Sequence, residues 1–358
     1  MLEAGGSALD DRALVERIDS QGLLRHIEGL PEQCAEAWEQ ATAIGLPERY
    51  RDAREIVVLG MGGSAIAGDI VGSLAAISGR KPVSVVRGYD LPPYIGDSTL
   101  VVACSHSGNT EETLSAVDKA LEAGARLAVV TTGGRLRELA QERALPAFVY
   151  LFDGGPRSAI GHQLMRLLAV AQQAGALDDQ GAALTETVAL MRDQRDQLGF
   201  ASAAERNPAK QLAARLHGRL PVIIGAGVLA EAAHRWRTQL NENSKSWALN
   251  DALPELGHNS IVGFGLPREA LDLLHVVFLA HPALHPRVLI QYDVIADELT
   301  RAGVSHERLE ARGSSPLAQA LTAIYFGDLV SYYLALLYGV DPSPVDAIGR
   351  LKARLAAS

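Results

Sequence analysis

The chain has 358 residues, enough for two domains of ordinary size with a substantial core each. Its formal charge of -9, with no block of lysine or arginine, excludes nucleic acid as a partner, because a polyanion rewards a basic surface. Only Cys34 and Cys104 occur, too few for a disulfide scaffold and without metal-like spacing, which points to a reducing cytoplasm.

The start, Met1-Leu-Glu-Ala-Gly-Gly6, lacks the basic region and apolar core of a signal peptide. Residues 1–52 read as polar helix, with Leu14, Ile18, Leu23, Ile27 and Leu30 spaced along one face that wraps the first domain. From Glu55 the pattern alternates strand and helix: strand Ile56–Leu59, helix 64–78, strands Val83–Val86 and Thr99–Ala103, helix 110–123, strand Leu127–Val130, helix 134–143, strand Phe148–Phe152 and helix 157–174. Such alternation predicts a doubly wound, parallel α/β sheet with helices on both faces and ligands at the carboxyl ends of its strands.

Two of those strand ends carry chemistry. Thr99-Leu-Val-Val-Ala-Cys104 runs into Ser105-His-Ser107-Gly-Asn-Thr110-Glu-Glu, and Ile56-Val-Val-Leu runs into Gly60-Met-Gly-Gly63-Ser64. Each turn presents unspent backbone N–H groups, the positive end of a helix dipole and hydroxyl donors to an anion. A phosphate held by Gly63, Ser64, Ser105, Ser107 and Thr110 is the functional reading, and a plain capping box between Asn109 and Glu112 is the structural one. Gly60-x-Gly62-x-x-Ala65 also fits a dinucleotide fingerprint, but the strand Pro82–Arg87 ends in arginine where a ribose-binding acid belongs. Arg157, just after the fifth strand, is a cation at a helix start, where the dipole disfavours it, and so suggests an anion nearby.

Residues 177–218 are charged and read as a connecting helix pair. Leu220-Pro-Val-Ile-Ile-Gly225-Ala-Gly227-Val then repeats the pattern of the first strand and turn, which marks an internal duplication without the serine. Strands Leu273–Leu279 and Arg308–Ala311 with helices 228–240, 287–302 and 317–338 complete a second, divergent α/β domain. The organisation is therefore 1–176, 177–218 and 219–358. Leu317–Val340 is long enough for a bilayer. Its central Asp328, with Gln319, Thr322, Ser331 and four tyrosines, argues instead for a helix buried between layers or subunits and against a membrane.

The paired hydroxyl turns resemble those of the sugar isomerase superfamily. Asn241-Glu242-Asn243-Ser244-Lys245, then Pro254-Glu255-Leu256-Gly257-His258-Asn259 and a lysine near the C-terminus, resemble the bifunctional phosphoglucose/phosphomannose isomerase family, in that order and over nearly the whole chain. The resemblance implies two domains of the SIS type and an aldose–ketose isomerisation of glucose 6-phosphate, and of mannose 6-phosphate, with fructose 6-phosphate. It implies Glu242 as the base, His258 for ring opening, Lys352 as an active-site lysine, and a homodimer in which His258 reaches the neighbour's site. Arg157 is assigned to the enediolate charge.

Bland alternatives stand beside each residue: an ion pair of Glu242 with Lys245, an ordinary loop histidine, a basic helix end. The rival function is a non-catalytic sugar-phosphate regulator, which would need none of Glu242, His258 or Lys352. The sequence has no His-Glu-x-x-His, no cysteine pair and no convincing carboxylate–histidine metal spacing, so the chemistry is expected to need neither metal nor cofactor. Two departures from the family pattern are His106, where tyrosine is common, and Gly257, where asparagine is common.

Overall fold

The computed structural model describes residues 8–357, so the Met1–Gly6 stretch read above lies outside the described residues. Among the described residues the helical N-terminal region includes α1 (Arg12–Ile18), α2 (Leu23–Glu28) and α3 (Leu30–Thr42). The break after α1 is set by Asp19, whose two carboxylate oxygens accept the N–H groups of Leu23 and Leu24 at 2.8 and 3.0 Å and cap α2.

The first sheet contains β1 (Glu55–Leu59), β2 (Val83–Val86), β3 (Thr99–Ser105), β4 (Arg126–Thr131) and β5 (Ala147–Val149). All its pairs are parallel, in the spatial order β2-β1-β3-β4-β5. The intervening helices are α4 (Gly62–Ser78), α5 (Glu111–Glu122) and α6 (Gly134–Glu142), followed by α7 (Ile160–Gln173). The expected fifth strand, Phe148–Phe152, stops at Val149, and the expected helix 157–174 begins as a 3-10 turn over Pro156–Ala159. Tyr150 leaves the sheet because its ring stacks on His162 and its hydroxyl meets Gln163 Nε2 at 3.3 Å.

Helices α8 (Gly181–Leu198) and α9 (Pro208–Leu216) connect to the second sheet of β6 (Leu220–Ala226), β7 (Leu249–Leu253), β8 (Leu274–Ala280) and β9 (Ser305–Glu310). Its order, β7-β6-β8-β9, is that of the first four strands of the first sheet, so the duplication read from the glycine turns holds at the level of topology. The remaining helices are α10 (Val228–Asn243), α11 (Pro286–Ala302), α12 (Pro316–Tyr338) and α13 (Asp346–Ala356). Strand β7 was not anticipated, because Asn250 and Asp251 interrupt its apolar pattern and an edge strand tolerates them.

Successive strand residues point to opposite faces, which divides the core. Val57, Leu59, Val101 and Ala103 pack under α5 and α6, whereas Ile56, Val58, Leu100 and Val102 join a cluster that continues through α3, α7, α10 and α12 to Ile223, Val277 and Leu279 of the second sheet. The two sheets thus share one helical layer, and the central strands β1, β3 and β8, covered on both faces, read as near-continuous apolar runs.

At the centre of that layer lies α12, buried without interruption from Leu317 to Leu336. The helix is long and apolar enough to cross a membrane, yet here it is a core helix packed by α8, α9 and α10 within the chain rather than a subunit contact. Its single charge is matched: Arg235 Nη2 of α10 meets Asp328 Oδ2 at 2.6 Å, with the two side chains 1% and 4% exposed. Gly327 beside it lets Trp236 lie against the backbone, since a Cβ there would collide with the indole.

Removing one partner of a buried pair strands the other charge, at a cost of about 3–5 kcal/mol. Asp328→Ala is therefore expected to lower the urea midpoint sharply, while the double variant Arg235→Met/Asp328→Leu recovers a large part of that loss.

Candidate functional site

The β3–α5 turn is built around its hydroxyls. Ser105 Oγ and Thr110 Oγ1 are 2.7 Å apart, Gly108 N donates to Ser105 Oγ at 3.1 Å, and Asn109 N donates to Ser107 Oγ at 3.2 Å. Gly108 has φ +70, and a Cβ there would strike the Gly133 carbonyl, so only glycine fits. Asn109 does not close a capping box: its Oδ1 accepts the Arg135 N–H at 2.9 Å, which ties the turn to the start of α6. Thr110 stands at the N-cap of α5 without a side-chain cap bond, which leaves the first N–H groups of that helix unspent by it.

The β1–α4 turn lies alongside, because β1 and β3 are neighbours with Leu59 paired to Ala103. Ser64 is hydrogen-bonded to the Cys104 thiol, which burial pushes up to about 12. Gly63 faces Pro156 and Arg157: a Cβ on it would lie 3.5 Å from the Pro156 carbonyl and 3.8 Å from Arg157 Cα. The two hydroxyl turns and the loop after β5 therefore meet at one end of the first sheet.

Arg157 is the hinge between the halves of the chain. Its Nε donates to Asn243 Oδ1 at 2.7 Å and its Nη2 donates to the carbonyls of Pro342 and Ser343 at 2.5 and 2.8 Å. Only Nη1 is left, and it lies 3.6 Å from Glu242 Oε2 on the last turn of α10. The anion that the sequence implied beside Arg157 is thus a carboxylate of the second half. The pairing of Glu242 with Lys245 does not form: Lys245, in a left-handed conformation at φ +55, donates to the Glu242 main-chain carbonyl at 2.6 Å and to Pro342 O at 3.2 Å. Burial lowers the pKa values of both Arg157 and Lys245.

His258 and Lys352 are not brought to this point. His258 ends a 3-10 turn, Glu255–His258, and is exposed, and Lys352 is exposed on α13. Gly257 has room for a side chain, with the nearest foreign atom to its Cβ position at 3.8 Å.

Beneath the hydroxyl turn lies a cluster of rings. His106 Nδ1 meets the Tyr150 hydroxyl at 3.1 Å, Tyr150 stacks on His162 at 5.0 Å between centroids, and the Arg166 guanidinium sits 4.8 Å over the Tyr150 ring. Arg166 is buried with no carboxylate partner among the described residues and is held by Gln40 Oε1 at 2.8 Å and the His162 carbonyl at 3.2 Å. Burial and this guanidinium together depress His162 to about 4, and burial also lowers His106.

Residues 205–355 match the family described as bacterial phospho-glucose isomerase C-terminal SIS domain, and residues 49–147 match the SIS domain. A protein of Caldicellulosiruptor bescii named bifunctional phosphoglucose/phosphomannose isomerase is 37% identical over 335 residues, covering 93% of this chain and 99% of that protein. The chain belongs to the bifunctional phosphoglucose/phosphomannose isomerase family. A second relative of that name, from Aquifex aeolicus, is 34% identical over 84% of this chain and 90% of its own length. Solved structures share the fold: the C-terminal domain of glucosamine-fructose-6-phosphate aminotransferase from Francisella tularensis aligns with a TM-score of 0.71 at 16% identity, covering 91% of this chain and 98% of that one. A glucose-6-phosphate isomerase like protein from Thermus thermophilus gives 0.64 at 21%, covering 96% and 98%.

Against the family pattern, His106 keeps its ring on Tyr150 and Phe152. Sequence reasoning missed Asn243 and Arg235, the residues that fix Arg157 from below. Asn243 Nδ2 donates to Ser331 Oγ at 2.9 Å, and Arg235 Nη2 donates to the Arg157 carbonyl at 3.0 Å. The available signal was polar residues on the buried face of α10.

A histidine whose folded pKa lies below its unfolded value of about 6.5 stabilises the fold fully above that pH and loses the contribution as pH falls toward the folded value. Unfolding free energy should therefore be level above pH 7 and fall by on the order of 3 kcal/mol between about pH 6.5 and 4, where His162 reaches its depressed value. His162→Gln should flatten that limb, as read by urea titrations across the pH series.

Proposed function

We propose that the chain interconverts fructose 6-phosphate with glucose 6-phosphate, and with mannose 6-phosphate, through an enediolate, using Glu242 as the base. The observation that carries this reading is the Arg157–Glu242 pair at 3.6 Å, set against Gly63 at the start of α4. A base and a cation belong together where a proton leaves carbon beside an oxygen that gains charge.

In this reading Gly63, Ser64, Ser105, Ser107 and Thr110 hold the phosphate with backbone N–H and hydroxyl donors. Glu242 takes the proton from carbon 2 of the open-chain aldose and returns it to carbon 1. Arg157, with Nε and Nη2 committed to the framework, offers the rigid Nη1 to the enediolate oxygens, so no reorganisation is needed as the charge develops. Ring opening by His258 and a place near the substrate for Lys352 rest on the family resemblance alone, since the single chain leaves both outside the Arg157–Glu242 point. Proton transfer between side chains and substrate requires neither metal nor cofactor.

A homodimer supplies His258. Its exposure, and the exposed apolar side chains nearby in the chain, Trp247 at 74%, Val262 at 91% and Leu266 at 75%, support a partner covering this region. The sensor alternative is weaker, because binding alone gives no reason to set a carboxylate against the cation that an anionic ligand would use.

Glu242→Gln preserves size and hydrogen bonding and removes the basic carboxylate. The turnover number is expected to fall about 100-fold to 10,000-fold with substrate affinity nearly unchanged, and exchange of deuterium from heavy water into carbon 2 of glucose 6-phosphate is expected to stop. Near-parental turnover would remove Glu242 from the mechanism. Mixed dimers of Glu242→Gln and His258→Ala subunits should regain one working site of two, measured as activity in purified hybrids. No recovery there would assign His258 to its own subunit's site.

A further inference from the structure

The helix that ends in Glu242 carries a second cluster of chemistry-bearing side chains nearer its start. Glu231 and His234 stand three residues apart on one face of α10, and Asp69 of α4 faces them from the other half of the chain. One ligand atom from each of the three lies within 4.8 Å of the others, and all three side chains are half-buried. Asp69 is held by Arg87 through Oδ2. Glu231 has no ion pair among the described residues, and its carboxylate meets only the Ser73 hydroxyl, at 3.5 Å. Two carboxylates face each other between packed helices, with Arg87 on Asp69 and Arg237 beside His234, and Glu231 is left without an ion pair among the described residues, a carboxylate that a cation would compensate.

We propose that Asp69, Glu231 and His234 form a binding site for a divalent transition-metal cation of the zinc class, which clamps α4 to α10. The donor set selects the class: one imidazole and two carboxylates suit zinc and its neighbours, whereas calcium and magnesium prefer oxygen donors alone. Tetrahedral zinc with bonds of about 2.1 Å sets its ligand atoms about 3.4 Å apart, so the three side chains need only draw inward by a rotamer adjustment. Ser73 and Arg87 orient the two carboxylates from outside, the role that outer hydrogen-bond partners play at metal centres. Arg87 also competes with the ion for Asp69.

The ion would touch no substrate. It would sit where α4, which starts at the Gly63–Ser64 turn, crosses α10, which ends at Glu242. His234 and Glu242 are eight residues apart, about 12 Å along a helix axis, so the clamp would fix the spacing between the phosphate turn and the carboxylate from a distance. It is a positioning and stabilising site, independent of the isomerase reading.

The test uses the full chain, stripped with a chelator and then titrated with zinc by calorimetry and with cobalt by visible absorption. The parent should take up one equivalent per chain, develop cobalt d–d bands and unfold at a higher temperature when loaded. Glu231→Gln and His234→Asn should each weaken zinc binding at least about tenfold and abolish the thermal shift. Failure of the parent to bind one equivalent would overturn the proposal without recourse to any variant. Unchanged affinity in both ligand variants, or binding of magnesium in preference to zinc, would overturn it as well. Turnover at low temperature should survive stripping, and its loss with recovery on zinc would replace a clamp with a catalytic ion.

Discussion

Arg235 is the interaction on which the rest depends. One of its nitrogens serves two partners: it neutralises Asp328 in the middle of α12 and donates a hydrogen bond to the Arg157 carbonyl. A guanidinium this deeply buried is stable only while both are present, so the long apolar helix, the first helix of the second half and the loop after the first sheet are locked into one arrangement. Asn243 repeats the logic one face along, accepting from Arg157 and donating to Ser331. The position of Arg157 is in this sense a by-product of how the core satisfies its buried polar groups.

The duplicated architecture divides labour between its copies. Both halves keep the strand, glycine turn and helix, and both keep the strand order, yet only the first retains hydroxyls at the turn. The second copy contributes its helix instead, and the carboxyl end of that helix is aimed back at the first copy's ligand edge. Neither half presents both the anion-binding turns and Glu242, so the shared helical layer between the sheets is what makes the site possible.

What could be read from sequence follows how local each feature is. Alternating strands and helices, the hydroxyl turns and the duplication all lie within short windows, and all hold in the structure. Strand β7 escaped because its edge position tolerates Asn250 and Asp251, and the fifth strand was read too long because Tyr150 and Phe152 are apolar for a different reason, packing on histidines. The partner of Glu242 was out of reach: Lys245 is near in sequence, but Arg157, on the far side of the chain, is near in space. The same distance in sequence hides Asp69 from Glu231 and His234. His258 was legible only through resemblance, and its exposed position in a single chain explains why no local pattern marks its role.

The placement of α12 has a consequence for how the molecule is made. Residues 316–338 pack on α8, α9 and α10, which lie wholly upstream of them, so during synthesis those helices exist before the helix that joins them does. Until α12 has cleared the ribosome, the helical faces that it covers remain open and Arg235 lacks its carboxylate. Docking of α12 is therefore a late step of assembly, in which Asp328 reaches Arg235 and the same guanidinium holds the carbonyl of Arg157.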